Sequence, residues 1–357
     1  MKRNQPTSSR NGFTIVELIV VIGVILILIG MLLPTMRTVR GPARRTACMN
    51  NMRQLGIACM NYYSAHEKLP MAMGQFADWR EQGECQRLSG WVAILPEIEQ
   101  QTIYNEVFDG CEYAGRTYQP APGPWSGYPG YQTKIETFRC PSSTDGPSDY
   151  GQTNYAFCIG DIAREIHQPK KLRGVFGVGI ECRLDDILDG CSNTIAIAEM
   201  GTGGTRDSRS HFAINQPTSL LQKPSKTLDL VSGIYPGTFD EKHKLNALGR
   251  GANWADGTSG YAMVNTILPP NSPSAAIKGD VGMDGFYSAG SFHQGGCIVT
   301  FADGSSRFIS EDIDTGDLDH ASLSTDQYSD LTMASPYGVW GALGSIEGDE
   351  DIHEMSW

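Results

Sequence analysis

The sequence predicts an α+β protein in which a long N-terminal helix, transmembrane in its first half and amphipathic in its second, packs on an antiparallel β-sheet body. Three observations predict it. Leu18 to Leu33 carries no charge over sixteen residues. Apolar residues between Cys48 and His66 recur on one helical face. From residue 71 onward, short apolar runs alternate with clusters of Gly, Pro, Asn and Asp, the punctuation of strands and turns.

The first twelve residues are polar and basic, with Lys2, Arg3 and Arg10, and end in Asn11-Gly12. Phe13 opens the apolar run, and with Phe13 to Ile15 added it makes a helix of about 30 Å, the thickness of a bilayer's hydrocarbon core. The run is long for the h-region of a signal peptide and no A-x-A site follows it, so it is expected to remain attached and to contact the membrane. Glu17 interrupts the run, and a carboxylate there is costly. Burial cost alone leaves two roles open. The acid could be neutralised by a neighbouring subunit's terminal amine, or could snorkel from the helix end. Basic residues flank the run on both sides, so the positive-inside rule gives no orientation.

Gly41-Pro42 reads as an interruption or end of this first helix. A second helical pattern follows: Cys48, Met52, Leu55, Cys59, Tyr62 and His66 fall at spacings of four, three, four, three and four, with polar residues off the stripe. It stops near Lys68-Leu69-Pro70. The expected divisions are therefore a basic leader at 1–12, a transmembrane helix at 13–36, an amphipathic helix at 37–69 and a β-rich body at 70–357.

Within the body, 90–96 reads as strand or short helix, 97–104 as helix and 115–131 as a long exposed loop. Residues 137–141 read as a strand ending in a turn, 185–193 as a short helix or turn, and 194–199 as a buried strand. Residues 296–310 form the best hairpin, with Asp303-Gly304 supplying a positive-φ turn. Residues 201–280 show weak periodicity.

Composition narrows the function. The net charge is -12, with 28 basic and 40 acidic residues, and no basic patch interleaves with aromatics, so no nucleic-acid partner is expected. Hydrophobic residues are 40% and charged residues 19%, which fits a folded, loop-rich body. Nine cysteines include no C-x-x-C pair, which argues against a zinc ribbon or thioredoxin-type site. In an exported protein some would pair, and Cys182 and Cys191 could close a loop; burial as small hydrophobes is the alternative for most. Cys48 and Cys59 suit no standard metal spacing.

The chain carries no P-loop, G-x-S-x-G or H-E-x-x-H, and no catalytic residue is expected. His293, before Gly295-Gly296, is a candidate ligand-binding residue, with Ser291 and Asp303 near it in sequence. A loop histidine capping a turn is the preferred reading. Asp312, Asp314, Asp317 and Asp319 cluster hard oxygen ligands of the kind Ca2+ takes, without EF-hand spacing, and a solvated acidic face is preferred. Asn154 and Asn193 read as ligand contacts or, more often, as residues that satisfy backbone groups at turns.

Gly12-Phe13-Thr14-Ile15-Val16-Glu17-Leu18-Ile19-Val20-Val21 resembles the prepilin cleavage and methylation signature. The resemblance implies cleavage between Gly12 and Phe13 by a prepilin peptidase, N-methylation of Phe13, and a role for Glu17 in assembly with other pilin-like subunits. It also implies a bend at Pro34, a cytoplasmic N-terminus and a single-pass placement in the inner membrane. A second resemblance covers most of the chain. It rests on Arg44-Arg45-x-x-Cys48-x-Asn50-Asn51, Phe138-Arg139-Cys140-Pro141-Ser142, Asp189-Gly190-x-Ser192-Asn193-Thr194, Ser291-x-His293-x-Gly295-Gly296, Phe301-Ala302-Asp303-Gly304-Ser305 and Tyr337-Gly338-Val339-Trp340. In that order these are similar to a planctomycete family of prepilin-like proteins known mainly as a domain of unknown function. The family implies pilin/pseudopilin-like architecture; a calcium site near the C-terminal end of pseudopilins is a further implication. The first functional expectation is a structural or surface protein of a type II secretion-like assembly. The second is a membrane-anchored solute- or polysaccharide-binding protein, and the third a hydrolase on the same anchor.

Overall fold

Thr14 and Glu17 start the first helix. The Glu17 carboxylate accepts from the Thr14 N–H at 2.9 Å and from its hydroxyl at 2.8 Å, while the Glu17 N–H donates to the Thr14 hydroxyl at 3.3 Å. This reciprocal pattern is a capping box, and the bonds from Thr14 hold the Glu17 carboxyl below its ordinary range. Helix α1 runs Ile15–His66. It ends where Glu67 takes φ 58° and its N–H donates to Tyr63 O at 2.7 Å, a left-handed stop. The computed structural model describes residues 13–74, 87–203, 206–233, 235, 237–322 and 333–348, without the side chains of 30–40.

The chain divides into two units, Met1–Arg45 and Thr46–Trp357. In the first, the side chains from Phe13 to Ile29 stand largely exposed. Among the described residues no helix is long and apolar enough to cross a membrane. This finding corrects the expectation of a transmembrane helix at 13–36. It equally corrects the pilin/pseudopilin-like fold, the single-pass inner-membrane placement and the role in a type II secretion-like assembly. Gly12 and the rest of the leader lie outside the described residues, as do the side chain of Pro34 and Cys85. Gly41-Pro42 lies within α1 rather than ending it.

The second unit is α+β. Short strands β1 (Met73–Gly74) and β2 (Leu88–Ser89) pair, and β2 leads into α2 (Gly90–Ala93), capped by the Ser89 hydroxyl. Helix α3 (Gln101–Asp109) precedes a small hairpin of β3 (Cys111–Tyr113) and β4 (Arg116–Tyr118). The central sheet draws on β5 (Tyr155–Cys158) and β6 (Ile195–Glu199), and a second sheet begins with β7 (Phe212–Gln216). After α4 (Ser259–Ala262) come β8 (Met263–Val264), β9 (Ser274–Ile277) and β10 (Gly285–Phe286). The last elements are β11 (Gly296–Phe301), β12 (Ser306–Ser310) and α5 (Gly338–Ala342).

The central sheet has the order β12-β11-β6-β5-β8, and the second β10-β9-β7. Both are mixed, which corrects the expected antiparallel body: β5 pairs with β8, and β7 with β9, in parallel. A parallel pair requires a crossover, and the long segment from β5 to β8 supplies one by way of β6, β7 and α4.

Both faces of the central sheet are covered. Strand residues alternate between faces, so Tyr155, Phe157 and Ile298 join one core with Cys48, Met52, Leu55 and Cys59 of α1. Ala156, Cys158, Cys297 and Val299 point the other way, into a core closed by Val339, Trp340 and Leu343 on and after α5. The stripe from Cys48 to Tyr62 is therefore buried, and His66 alone of the predicted stripe is exposed. The segment 115–131 is not an exposed loop. Tyr118, Tyr128 and Tyr131 are buried and stack edge-on from ring to ring as far as Trp254. In the hairpin turn only Gly304 of the Asp-Gly pair has positive φ, at 82°.

Gly56 lets α1 approach the hairpin. A Cβ there would lie 2.8 Å from Thr300 Cγ2 and 3.1 Å from Gly304 Cα. Thr300 is held by its hydroxyl contact with Ser306 at 2.9 Å, so it cannot swing aside. At an open helical site Gly→Ala stabilises by about 0.5–1 kcal/mol. Gly56→Ala is expected to destabilise by about 1–3 kcal/mol through overpacking, as measured by chemical denaturation. A gain in stability would show that the helix does not press on the turn.

Candidate functional site

Four buried side chains from four distant segments meet in the second unit. Cys48 lies on the buried face of α1, Cys140 in the turn after Phe138, Glu199 at the end of β6, and His293 in the loop before β11. Local bonds explain each placement. Asn51, one turn beyond Cys48, donates to Arg139 O at 2.8 Å, and the Cys140 N–H donates to Asn154 Oδ1 at 2.9 Å. Asn154 in turn donates to Met200 O and the Thr202 hydroxyl, which ties the Cys140 turn to the end of β6. The Gly290 N–H donates to Glu199 O at 2.9 Å, and the His293 N–H to the Ser291 hydroxyl at 3.1 Å, so the histidine loop is moored to the same strand end. Gly296 then lets the chain enter β11, because a Cβ there would collide with the Ile309 carbonyl.

Cys48 and Cys140, 92 residues apart, are disulfide-bonded with Cα atoms 5.2 Å apart. The sulfur of Cys140 lies 3.4 Å from His293 Nε2, and Glu199 Oε1 lies 3.5 Å from the same nitrogen. The other ring nitrogen is 3.5 Å from the Ser142 hydroxyl. Glu199 Oε2 accepts from the Ile298 N–H at 2.8 Å, but its Oε1 is buried with no hydrogen-bond partner. The 3.5 Å approach of the imidazole to that oxygen is too long for a good hydrogen bond and is an ion pair only if the ring is protonated. The two sulfurs, one carboxylate oxygen and one ring nitrogen all lie within 4.8 Å of one another, and this is the grouping among the described residues whose donors suit a metal.

His293 was singled out in the sequence; Glu199 and the Cys48–Cys140 pairing were not. The signal for Glu199 was a carboxylate ending a run of buried strand residues, where an acid needs a partner. Ser291 and Asp303 do not complete a catalytic set with His293. The Ser291 hydroxyl accepts the His293 backbone N–H, and Asp303 accepts from Ser305 N–H in the hairpin turn. Asp312, Asp314, Asp317 and Asp319 are exposed and form no ligand group. Asp314 and Asp317 accept from backbone N–H groups two residues on, and Asp319 pairs with Lys223 at 2.6 Å and with Ser225. Cys182 and Cys191 are not bonded to each other. Burial pushes the thiols of Cys59, Cys158 and Cys182 up to about 12, which leaves them unreactive. Asn193 donates to Asp189 O, a backbone task within its own turn.

A cleft of about 490 Å³ lies elsewhere, on the second sheet. Its lining includes Glu165, His167, Lys170, Lys278 and Asp284 over the apolar side chains of Leu221, Ile277 and Met283. Asp284 Oδ1 accepts from the Ile166 N–H at 3.1 Å, and His167 Nε2 is 3.1 Å from the Ser259 hydroxyl. Burial pushes His167 below its ordinary range and outweighs the opposing influence of Asp284.

A family model described as "Protein of unknown function (DUF1559)", short name SBP_bac_10, matches residues 37–316. No curated protein and no solved structure matches the chain. The matched span contains Cys48, Cys140, Glu199 and His293 and every lining residue named for the cleft, and it begins beyond the Gly12–Val21 motif.

Two outcomes follow from this geometry. Closing a loop of 92 residues removes chain entropy from the unfolded state. Reduction in a chelating buffer, or Cys48→Ser, should therefore cost about 4–5 kcal/mol in denaturant titrations; no loss would show that the link constrains nothing. Burial also lowers His167 and His211 below 6.5. Below that pH the unfolded chain takes up protons that the folded chain does not, so stability should fall as pH drops through about 6.5 and level off beneath the folded values. The thermal midpoint should decline between about pH 7.5 and pH 5, and less steeply in His167→Gln. A flat profile would contradict the burial of these rings.

Proposed function

The chain belongs to the DUF1559 family of proteins of unknown function, and on that premise we propose that it binds a small polar solute carrying charge of both signs. The observation that carries this reading is the cleft over the second sheet. It combines two carboxylates, Glu165 and Asp284, with two ammonium groups, Lys170 and Lys278, above an apolar floor. At about 490 Å³ it falls in the range of small-ligand sites and is too small for a run of polysaccharide. The family's short name, SBP_bac_10, carries the solute-binding abbreviation and supports the same reading.

Binding of this kind requires fixed polar groups rather than a nucleophile. Asp284 is held by the Ile166 N–H, and the Ile277 N–H donates to its carbonyl, so the carboxylate is anchored between a loop and a strand end. His167 is held neutral by burial and contributes a hydrogen-bonding ring rather than a charge. The molecule on this reading is a binder, not an enzyme. Prepilin peptidase and pilin-like subunits, expected as partners from the sequence, have no part in it.

A thermal-shift screen of the purified chain against amino acids, other zwitterions, sugars and short oligosaccharides tests the reading. A zwitterion present at a hundredfold excess over its Kd should stabilise the fold by about 2.7 kcal/mol. Asp284→Asn, which keeps the oxygen that accepts from Ile166, and Lys278→Gln should each weaken binding about tenfold, or 1.4 kcal/mol. A screen without any hit, or a hit equally strong in both variants, would overturn it.

A further inference from the structure

We propose that Cys48, Cys140, Glu199 and His293 form a redox-gated site for a zinc-class divalent cation, closed to metal while the disulfide stands and open once it is reduced. This site is separate from the solute cleft, and the proposal does not depend on the solute reading.

Geometry is the first argument. A tetrahedral zinc centre with ordinary bond lengths sets its sulfur and nitrogen ligands about 3.6 Å apart and its nitrogen and oxygen ligands about 3.3 Å apart. Cys140 Sγ to His293 Nε2 is 3.4 Å, and His293 Nε2 to Glu199 Oε1 is 3.5 Å. Those are the edges of such a tetrahedron, already in place. The two sulfurs must part from a bonded pair to about 3.8 Å, and all four donors already lie within 4.8 Å of one another. The turn of Cys140 and the helix of Cys48 meet side chain to side chain, with Cα atoms 5.2 Å apart.

The second argument is the surrounding support. Metal-binding histidines and carboxylates are oriented by partners on their outer atoms. Glu199 has the Ile298 N–H at its outer oxygen at 2.8 Å, and the Ser142 hydroxyl stands 3.5 Å from the outer nitrogen of His293, close enough to tighten onto it when the inner nitrogen is bound. The inner oxygen of Glu199 is buried without a hydrogen bond. A cation at the centre of the four donors supplies the partner that this oxygen lacks. Burial of all four residues makes the site a closed, structural one without an open coordination position. Two sulfur donors and an imidazole select zinc-class ions over Ca2+ or Mg2+.

The gate balances chemically. An external dithiol transfers two electrons and two protons to the Cys48–Cys140 bond, which becomes two thiols, while the dithiol becomes a disulfide. Zn2+ then displaces the two thiol protons and is held by two thiolates, the Glu199 carboxylate and the neutral His293 ring. In the reverse direction a disulfide oxidant withdraws two electrons from the thiolates, the protein disulfide re-forms and Zn2+ leaves.

The test uses the full chain in two redox states. One sample is reduced with excess dithiol and the other left oxidised; both are loaded with Zn2+, desalted without oxygen and assayed for metal by mass spectrometry. The reduced chain should hold about one zinc and the oxidised chain none, and Co2+ in the reduced chain should give a thiolate charge-transfer band. Added Zn2+ should raise the unfolding midpoint of the reduced chain alone. His293→Ala and Glu199→Ala should weaken zinc binding at least about tenfold, while their oxidised forms keep the disulfide and a cooperative transition. Because other cysteines are present, the Cys48→Ser, Cys140→Ser double variant must lose the cobalt band. Equal zinc in both redox states, no zinc in the reduced chain, or an unchanged band in the double variant would each overturn the proposal.

Discussion

Glu199 imposes the constraint on which the body of this protein depends. It is a carboxylate at 1% exposure, placed at the end of a strand with both faces of its sheet covered. Taking such a group out of water is costly unless its oxygens are met. One oxygen is met from within the sheet, by the Ile298 N–H of the neighbouring strand. The other faces His293, whose loop is held in place by the Gly290 N–H on the Glu199 carbonyl. The same ring nitrogen meets the sulfur of Cys140, and that sulfur is bonded to α1. A single buried acid therefore links strand, loop, turn and helix, and the position of each is conditional on the others.

The central sheet supplies the rigidity that makes such a centre tenable. Because α1 covers one face and α5 the other, every residue of β5, β6 and β11 is buried. Water has little access from either side, so polar groups on these strands must find partners within the protein. Arg250 illustrates the same rule away from the cluster. It is fully buried, without a carboxylate beside it, and burial pushes its guanidinium down to about 10. It is retained by donating to the Ser274 hydroxyl and to the carbonyls of Ser288 and Met263, so it acts as a strut joining β8 and β9. The second sheet, braced by that strut, carries the cleft.

Local patterns were legible in the sequence and long-range ones were not. The stripe from Cys48 to Tyr62 has the helical period and is buried as that period requires. The runs that became β6 and the β11–β12 hairpin have the length and apolarity of strands. Pairing of β5 with β8 could not be read, because parallel register depends on a crossover and leaves no mark at either strand. Tyr118, Tyr128 and Tyr131 sit among Gly and Pro, which signal turns, yet turns can bury aromatic rings when another ring, here Trp254, lies across them. At the N-terminus the Thr-x-x-Glu spacing of Thr14 and Glu17 was a capping signal in plain view. The Glu17 carboxylate accepts from Thr14 within its own first turn, as that spacing requires. The cluster itself was half legible. His293 stood out by type, but Glu199 resembled any strand end, and only folding shows that the two approach within 3.5 Å.

The cleft and the cluster solve opposite problems. In the cleft, charged groups remain within reach of water, and a solute can replace that water at modest cost. In the cluster nothing can be left over, since an unpartnered oxygen in the interior retains its full desolvation penalty. The disulfide satisfies the sulfurs and does nothing for Glu199. Its loop-closing stabilisation is therefore opposed, in the folded state, by a buried carboxylate oxygen that has no hydrogen-bond partner. Separating the sulfurs surrenders the link but creates the one arrangement in which all four donors converge on a common point. Two states with compensating merits, built from the same side chains, are what a redox-dependent equilibrium requires.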